Sequence, residues 1–144
     1  MDIPRTLRLL GVTATVLVLA ATLVPTGATA QEIARGQVDY AEVVGGPTDV
    51  IMLRARLEPG ASQGWHTHPG PVWVVVTSGE VTAYRQDGCS RGYAPGEAFL
   101  EQPGRPIDLR NEGLQPAEFA VTQILLAGGP GRVNVDAPTA VCGR

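Results

Sequence analysis

The sequence contains no lysine. All eleven basic residues are arginine, set against fourteen acids, for a formal charge of −3 at pH 7. That balance excludes the basic footprint of a nucleic-acid-binding domain. Only two histidines and two cysteines occur in 144 residues. There is no P-loop, no dinucleotide fingerprint and no G-x-S-x-G elbow. Neither histidine has an evident nucleophile nearby, so a serine hydrolase is unsupported. The cysteine spacing matches neither a metal knuckle nor a CxxC redox pair. Beyond residue 30 there is no helical periodicity of useful length, no internal repeat and no apolar run long enough to cross a bilayer. What abounds instead is Gly (18) and Pro (12), at a mean hydropathy of +0.06. This is the composition of one turn-rich β domain.

Residues 1–30 have the pattern of an export signal. Arg5 and Arg8 form the positive start, Leu9 to Val24 the apolar stretch, and Ala28-Thr29-Ala30 a small-residue cleavage site. Cleavage there gives a mature domain of residues 31–144 with a charge of −4 and no membrane span. The alternative is a retained anchor, although about 16 apolar residues fall short of the roughly 20 a span needs. An exported chain meets oxidising conditions, and two cysteines allow one intramolecular pairing. A Cys89–Cys142 disulfide tying the C-terminal tail to the domain is therefore expected, with two free thiols as the alternative.

Strand signals run along the whole mature chain. Val38, Tyr40, Val43 and Val44 precede Gly45-Gly46-Pro47, as in an edge strand ending in a loop. From Asp49 to Leu57 the residues alternate, with Ile51, Leu53, Ala55 and Leu57 on one face and Val50, Met52, Arg54 and Arg56 on the other. Glu80 to Arg85, Ala98 to Leu100, Ile107 to Arg110 and Ala117 to Leu126 read as further strands. Between them lie the turns Gln86-Asp87-Gly88, Tyr93 to Glu97, Pro103 to Pro106 and Asn111-Glu112-Gly113. From Arg132 the chain is an extended tail. Short strands at this spacing predict an antiparallel sandwich or barrel.

Gly60 to Gly79, GASQGWHTHPGPVWVVVTSG, carries both histidines. His66 and His68 stand two apart, so in an extended strand their imidazoles share a face and can approach one metal ion. The β-branched run Val72 to Thr77 follows as a buried strand. Val72 and Trp73 must face opposite ways. The stretch resembles the first motif of the cupin superfamily, G-x5-H-x-H-x3-E-x6-G, with Gly60, His66, His68 and Gly79 in register. Gly96, Pro103 and Asn111 are similar to the second motif, whose histidine position is Ile107 here. The GWHTHPGPVWVV segment, the RNEG turn and the two cysteines most resemble small exported single-domain cupins.

The resemblance implies an all-β, antiparallel double-stranded β-helix of jelly-roll type, and a homodimer. It also implies a metal site for Zn, Mn, Fe, Ni or Cu, but Val72 and Ile107 replace the usual Glu and third His. The expected site is thus an incomplete, weak two-histidine centre. Glu97, Glu101, Gln123 and Tyr84 are the candidates near it, with Glu101, Gln123 and Tyr84 as pocket residues. Gln123 faces inward with Phe119, Val121 and Leu125 if Glu118 faces solvent. The expected function is binding of a small molecule in the barrel lumen. The alternative is a metal-dependent enzyme, dioxygenase- or isomerase-like, using His66, His68 and a further ligand. The third option is a structural or interaction protein using the barrel surface, with the histidine pair only lining a polar pocket or hydrogen-bonding locally.

Overall fold

The computed structural model describes residues 27–39 and 45–143. All of the expected leader but its last four residues lies outside that set, as do Tyr40, Val43 and Val44. No described residue is helical. Ten strands follow in chain order: β1 (Ala28–Asp39), β2 (Pro47–Leu57), β3 (His66–Thr67), β4 (Val72–Ser78), β5 (Val81–Arg85), β6 (Ser90–Tyr93), β7 (Ala98–Glu101), β8 (Ile107–Arg110), β9 (Ala117–Leu126) and β10 (Val133–Asn134). They build two antiparallel five-stranded sheets, ordered β1-β2-β9-β4-β7 and β10-β3-β8-β5-β6.

Alternation decides which residues meet between the sheets. On β4, Val72, Val74 and Val76 are buried while Trp73 and Val75 are exposed. On β9, Ala117, Phe119 and Val121 are buried, and β8 adds Ile107 and Leu109. These side chains form one core with Leu57, Val81, Ala83, Tyr93 and Phe99. Burying each large apolar side chain stabilises by about 1.5–3 kcal/mol. Asn111 holds a corner of this core: its side-chain amide donates to the carbonyls of Leu57 and Gln115, and its Oδ1 accepts from Gly113 N–H. Gly79 closes the β4–β5 hairpin at φ +67, where a Cβ would lie 2.5 Å from the carbonyl oxygen of Pro116. Only glycine fits both the conformation and the space.

Three elements differ from the sequence expectation. β6 lies where only a turn and its flank were expected; three of its four residues are exposed, so it has no apolar alternation and forms as the hairpin partner of β5. The tail contributes β10, a two-residue pairing against β3. β1 begins at Ala28, and Ala28, Thr29 and Ala30 pair with Leu57, Arg56 and Ala55. The tail is fastened at its far end by a Cys89–Cys142 disulfide with Cα atoms 4.5 Å apart.

The edge strand β1 is tied down by Asp49 of β2. Its carboxylate is buried and accepts from Gln37 Nε2 at 2.9 Å, Arg35 NH1 at 2.7 Å and Gly128 N–H at 3.3 Å. The Gln37 amide, the Gly128 N–H and Arg35 together hold this carboxyl below its ordinary pKa, against the opposing effect of burial. A carboxyl with a lowered folded-state pKa stabilises above its unfolded pKa, and that contribution is lost as pH falls through the folded value. Asp49→Asn is therefore expected to melt below the wild type at pH 7, and the gap should close by about pH 2. A gap of equal size at both pH values would show that the carboxylate's charge is not what matters.

Gly70 gives a second test. A Cβ there would lie 1.8 Å from the carbonyl oxygen of Ile124, in the backbone of β9. Ile124 N–H also donates to the Pro71 carbonyl at 3.1 Å, which pins the two segments together. Gly70→Ala should destabilise by more than about 3 kcal/mol in urea unfolding. An unchanged midpoint would mean the β4–β9 contact yields freely.

Candidate metal centre

The site is built where β1, β2, β3, β4, β7 and β9 line a cavity of about 280 Å³ between the sheets. His66 sits on β3 and His68 just beyond it, both buried, with ring centroids 4.9 Å apart and planes perpendicular. Each ring is fixed from behind. His66 Nδ1 donates to the carbonyl of Gly64 at 2.7 Å, and His68 Nδ1 donates to the carbonyl of Gly131. A backbone carbonyl can only accept, so Nδ1 carries a proton in both rings, and each imidazole in its neutral form turns an Nε2 lone pair inward.

Both lone pairs face the same carboxylate oxygen. Glu101 Oε2 is 2.9 Å from His68 Nε2 and 3.8 Å from His66 Nε2. Neither contact has hydrogen-bond geometry, and Oε2 is a buried oxygen without a hydrogen-bond partner. Burial pushes the Glu101 carboxyl up, and a proton held at the His66 and His68 Nε2 atoms facing it outweighs that and leaves it below the ordinary carboxylate range. Three buried side chains thus bring acceptors within 4.8 Å of one another on the wall of the cavity. Acceptors packed together without a donor repel, so the arrangement calls for a proton or a cation between them.

The strand register explains where Glu101 comes from. Val72 occupies the position at which the cupin motif has its glutamate. On one side it pairs with Glu101 of β7, and on the other with Gln123 of β9. Glu101 therefore projects from the neighbouring strand directly opposite the vacated position. Beside the two histidines expected from the sequence, the structure places Glu101, a pocket candidate, so that three potential ligands cluster. A signal for it existed: Phe99 faces the core, so strict alternation carries Glu101 to the same face. The strand pairing that sets it beside Val72 is long-range and has no local signature.

The remaining candidates separate clearly. Gln123 lines the cavity, with Ile51 beside it on β2. Tyr84 does not, because its hydroxyl donates to Glu112 and the Arg110 guanidinium lies over its ring at 4.2 Å. Glu97 is spent on the Ala94 N–H and on Arg91 at the surface. Ile107 pairs with His66 in register and packs in the core, where it cannot coordinate anything. Sequence reasoning missed Gly64 and Gly131, whose carbonyls orient the rings, and Arg132, which lines the cavity.

Known proteins with this architecture are similar in fold and vary in sequence. A structure of a double-stranded β-helix protein from Klebsiella pneumoniae superposes with a TM-score of 0.61 at 19% identity, covering 76% of this chain and 85% of that one. Oxalate oxidase in complex with the substrate analogue glycolate superposes with a TM-score of 0.57 at 28% identity, over 77% of this chain and 56% of that one. (R)-mandelonitrile lyase from Granulicella tundricola is 36% identical over 58 residues, which are 40% of this chain and 44% of the lyase. The chain thus spans about half the length of these two enzymes. The cupin-domain family profile matches residues 53–123, from β2 through β9, and so contains all three converging side chains. By profile, by fold and by the placement of its histidine motif, the chain belongs to the cupin superfamily.

Proposed function

We propose that this cupin is a divalent-metal-dependent enzyme of small organic molecules, with His66, His68 and Glu101 as the metal ligands. The observation that carries the proposal is the buried Glu101 Oε2, without a hydrogen-bond partner and faced by two imidazole lone pairs. Two imidazoles and one carboxylate suit first-row ions such as Zn, Fe, Mn, Ni and Cu. Ligating histidines commonly donate their other ring N–H to a backbone carbonyl, as both do here. When bound, such an ion supplies a Lewis acid with coordination positions left open to substrate.

The chain's own residues supply the rest. The carbonyls of Gly64 and Gly131 hold both rings in one tautomer. Ile51, Val72 and Phe119 keep the cavity apolar, and Gln123 offers an amide from its wall. A cavity of about 280 Å³ suits a small molecule. Similarity to a lyase and an oxidase of small molecules supports an enzyme over a passive binder. Export completes the proposal: the disulfide fits an oxidising compartment, and a chain beginning at Gln31 keeps the pairing of β1 from Gln31 to Asp39.

Elemental analysis of the protein, secreted without a histidine tag and dialysed against a weak chelator, tests the site. About one equivalent of a first-row divalent ion is expected in the wild type. His66→Ala/His68→Ala and Glu101→Gln should retain less than about a tenth of it. No ion in any of the three would leave a metal-free binding barrel as the function.

Glu101→Gln also separates the ion's effect from the fold's. Its amide can donate to His68 Nε2, replacing facing acceptors with a hydrogen bond worth about 1 kcal/mol. Stripped of metal, the variant should melt roughly 4 °C above the stripped wild type. Only the wild type should gain further on adding Zn(II), by about 2.7 kcal/mol at a hundredfold excess over its Kd. A stripped variant that melts lower would mean that the carboxylate is compensated without a metal.

A further inference from the structure

We propose that Arg132 is the anion anchor of the cavity, and that the molecule bound there is a small organic acid with an apolar body and one carboxylate. The inference rests on the metal-centre proposal for the identity of the working site and adds the class of its substrate.

Arg132 lines the same cavity as the three ligands. It is one residue from Gly131, whose carbonyl orients His68, so its backbone is fixed by the same contact. Its guanidinium is held by neutral acceptors: NH2 donates to the Gln63 carbonyl at 2.6 Å, and Nε donates to Asn134 Oδ1 at 3.0 Å. Among the described residues it has no carboxylate within ion-pair distance, whereas the other cavity arginine, Arg35, is bridged to Glu32 and Asp49. Partial burial pushes the Arg132 pKa down, while Glu101 and Asp108 act on it only through space.

An oriented guanidinium without a direct ion-pair partner, beside an apolar wall, selects a carboxylate, because guanidinium and carboxylate match in charge and planar donor geometry. The apolar wall (Ile51, Leu53, Val72, Phe119 and Val121) takes the rest of the molecule. An ion bound by two neutral imidazoles and one carboxylate leaves a net positive centre, so both charged ends of the cavity favour an anion.

Benzoate and its neutral isostere benzamide are suitable probes, titrated calorimetrically into Zn(II)-loaded wild type, Arg132→Gln and Arg132→Lys. The wild type should prefer benzoate by about tenfold or more. Arg132→Gln should cut the preference by about tenfold, leaving only the ion's share, with benzamide affinity and metal content unchanged, and Arg132→Lys should restore part of it. The proposal is overturned if the preference is undiminished in Arg132→Gln, if both probes weaken equally there, or if the wild type binds no benzoate at millimolar concentration. The same pair of probes on Glu101→Gln and Glu101→Gln/Arg132→Gln removes the ion from the comparison. A benzoate preference that depends on Arg132 in this background stands even if the wild type takes up no metal, whereas loss of metal uptake alone counts only against the metal centre.

Discussion

Three acceptors facing one another in a buried space set the terms for the rest of this structure. An ionised carboxylate and two imidazole lone pairs within 4.8 Å of one another are unfavourable unless a positive species lies between them. The protein enforces the arrangement instead of relaxing it. Two backbone carbonyls hold the imidazole protons on the far side of the rings, and the β4–β7 register fixes the carboxylate opposite Val72. A fold that needed only a stable core could have turned a ring or placed an amide at 101. Retaining the acceptors costs stability, and such conflicts are expected where function is served.

The C-terminal tail belongs to this arrangement. Between β9 and Cys142 it supplies the carbonyl that orients His68, the guanidinium at the cavity and the β10 pairing against the strand that bears His66. A segment of this length with two paired residues would fray by itself. It is held at one end by β9 and at the other by the bond to Cys89. The disulfide therefore acts on the site through the tail as well as on the unfolded chain.

Most of the fold was legible because alternation is local. The bounds of β9 and the inward faces of β2 and β4 follow from residues two apart, with no knowledge of their partners. β6 was not legible, since Ser90-Arg91-Gly92 has no apolar residue to mark a face; its existence depends on β5 being beside it. The histidine pair was legible for the same local reason as the strands. Glu101 was visible as an inward position after Phe99, yet its significance depends on which strand lies beside β7.

That dependence shows what a motif encodes. The cupin motif places its glutamate on the strand that follows the histidines, so a valine at 72 reads as a missing ligand. What coordination chemistry needs is a carboxylate oxygen at one point in space, not at one position in the chain. In an antiparallel sheet each inward position has a neighbour on either side, whose Cβ lies about 5 Å away. Either neighbour can deliver a longer side chain to nearly the same place. Here one neighbour of Val72 is Glu101 and the other is Gln123, so the carboxylate crosses one strand and an amide takes the opposite flank. The apolar side chain at 72 is part of the cavity wall, and the carboxylate opposite it stands on the neighbouring strand.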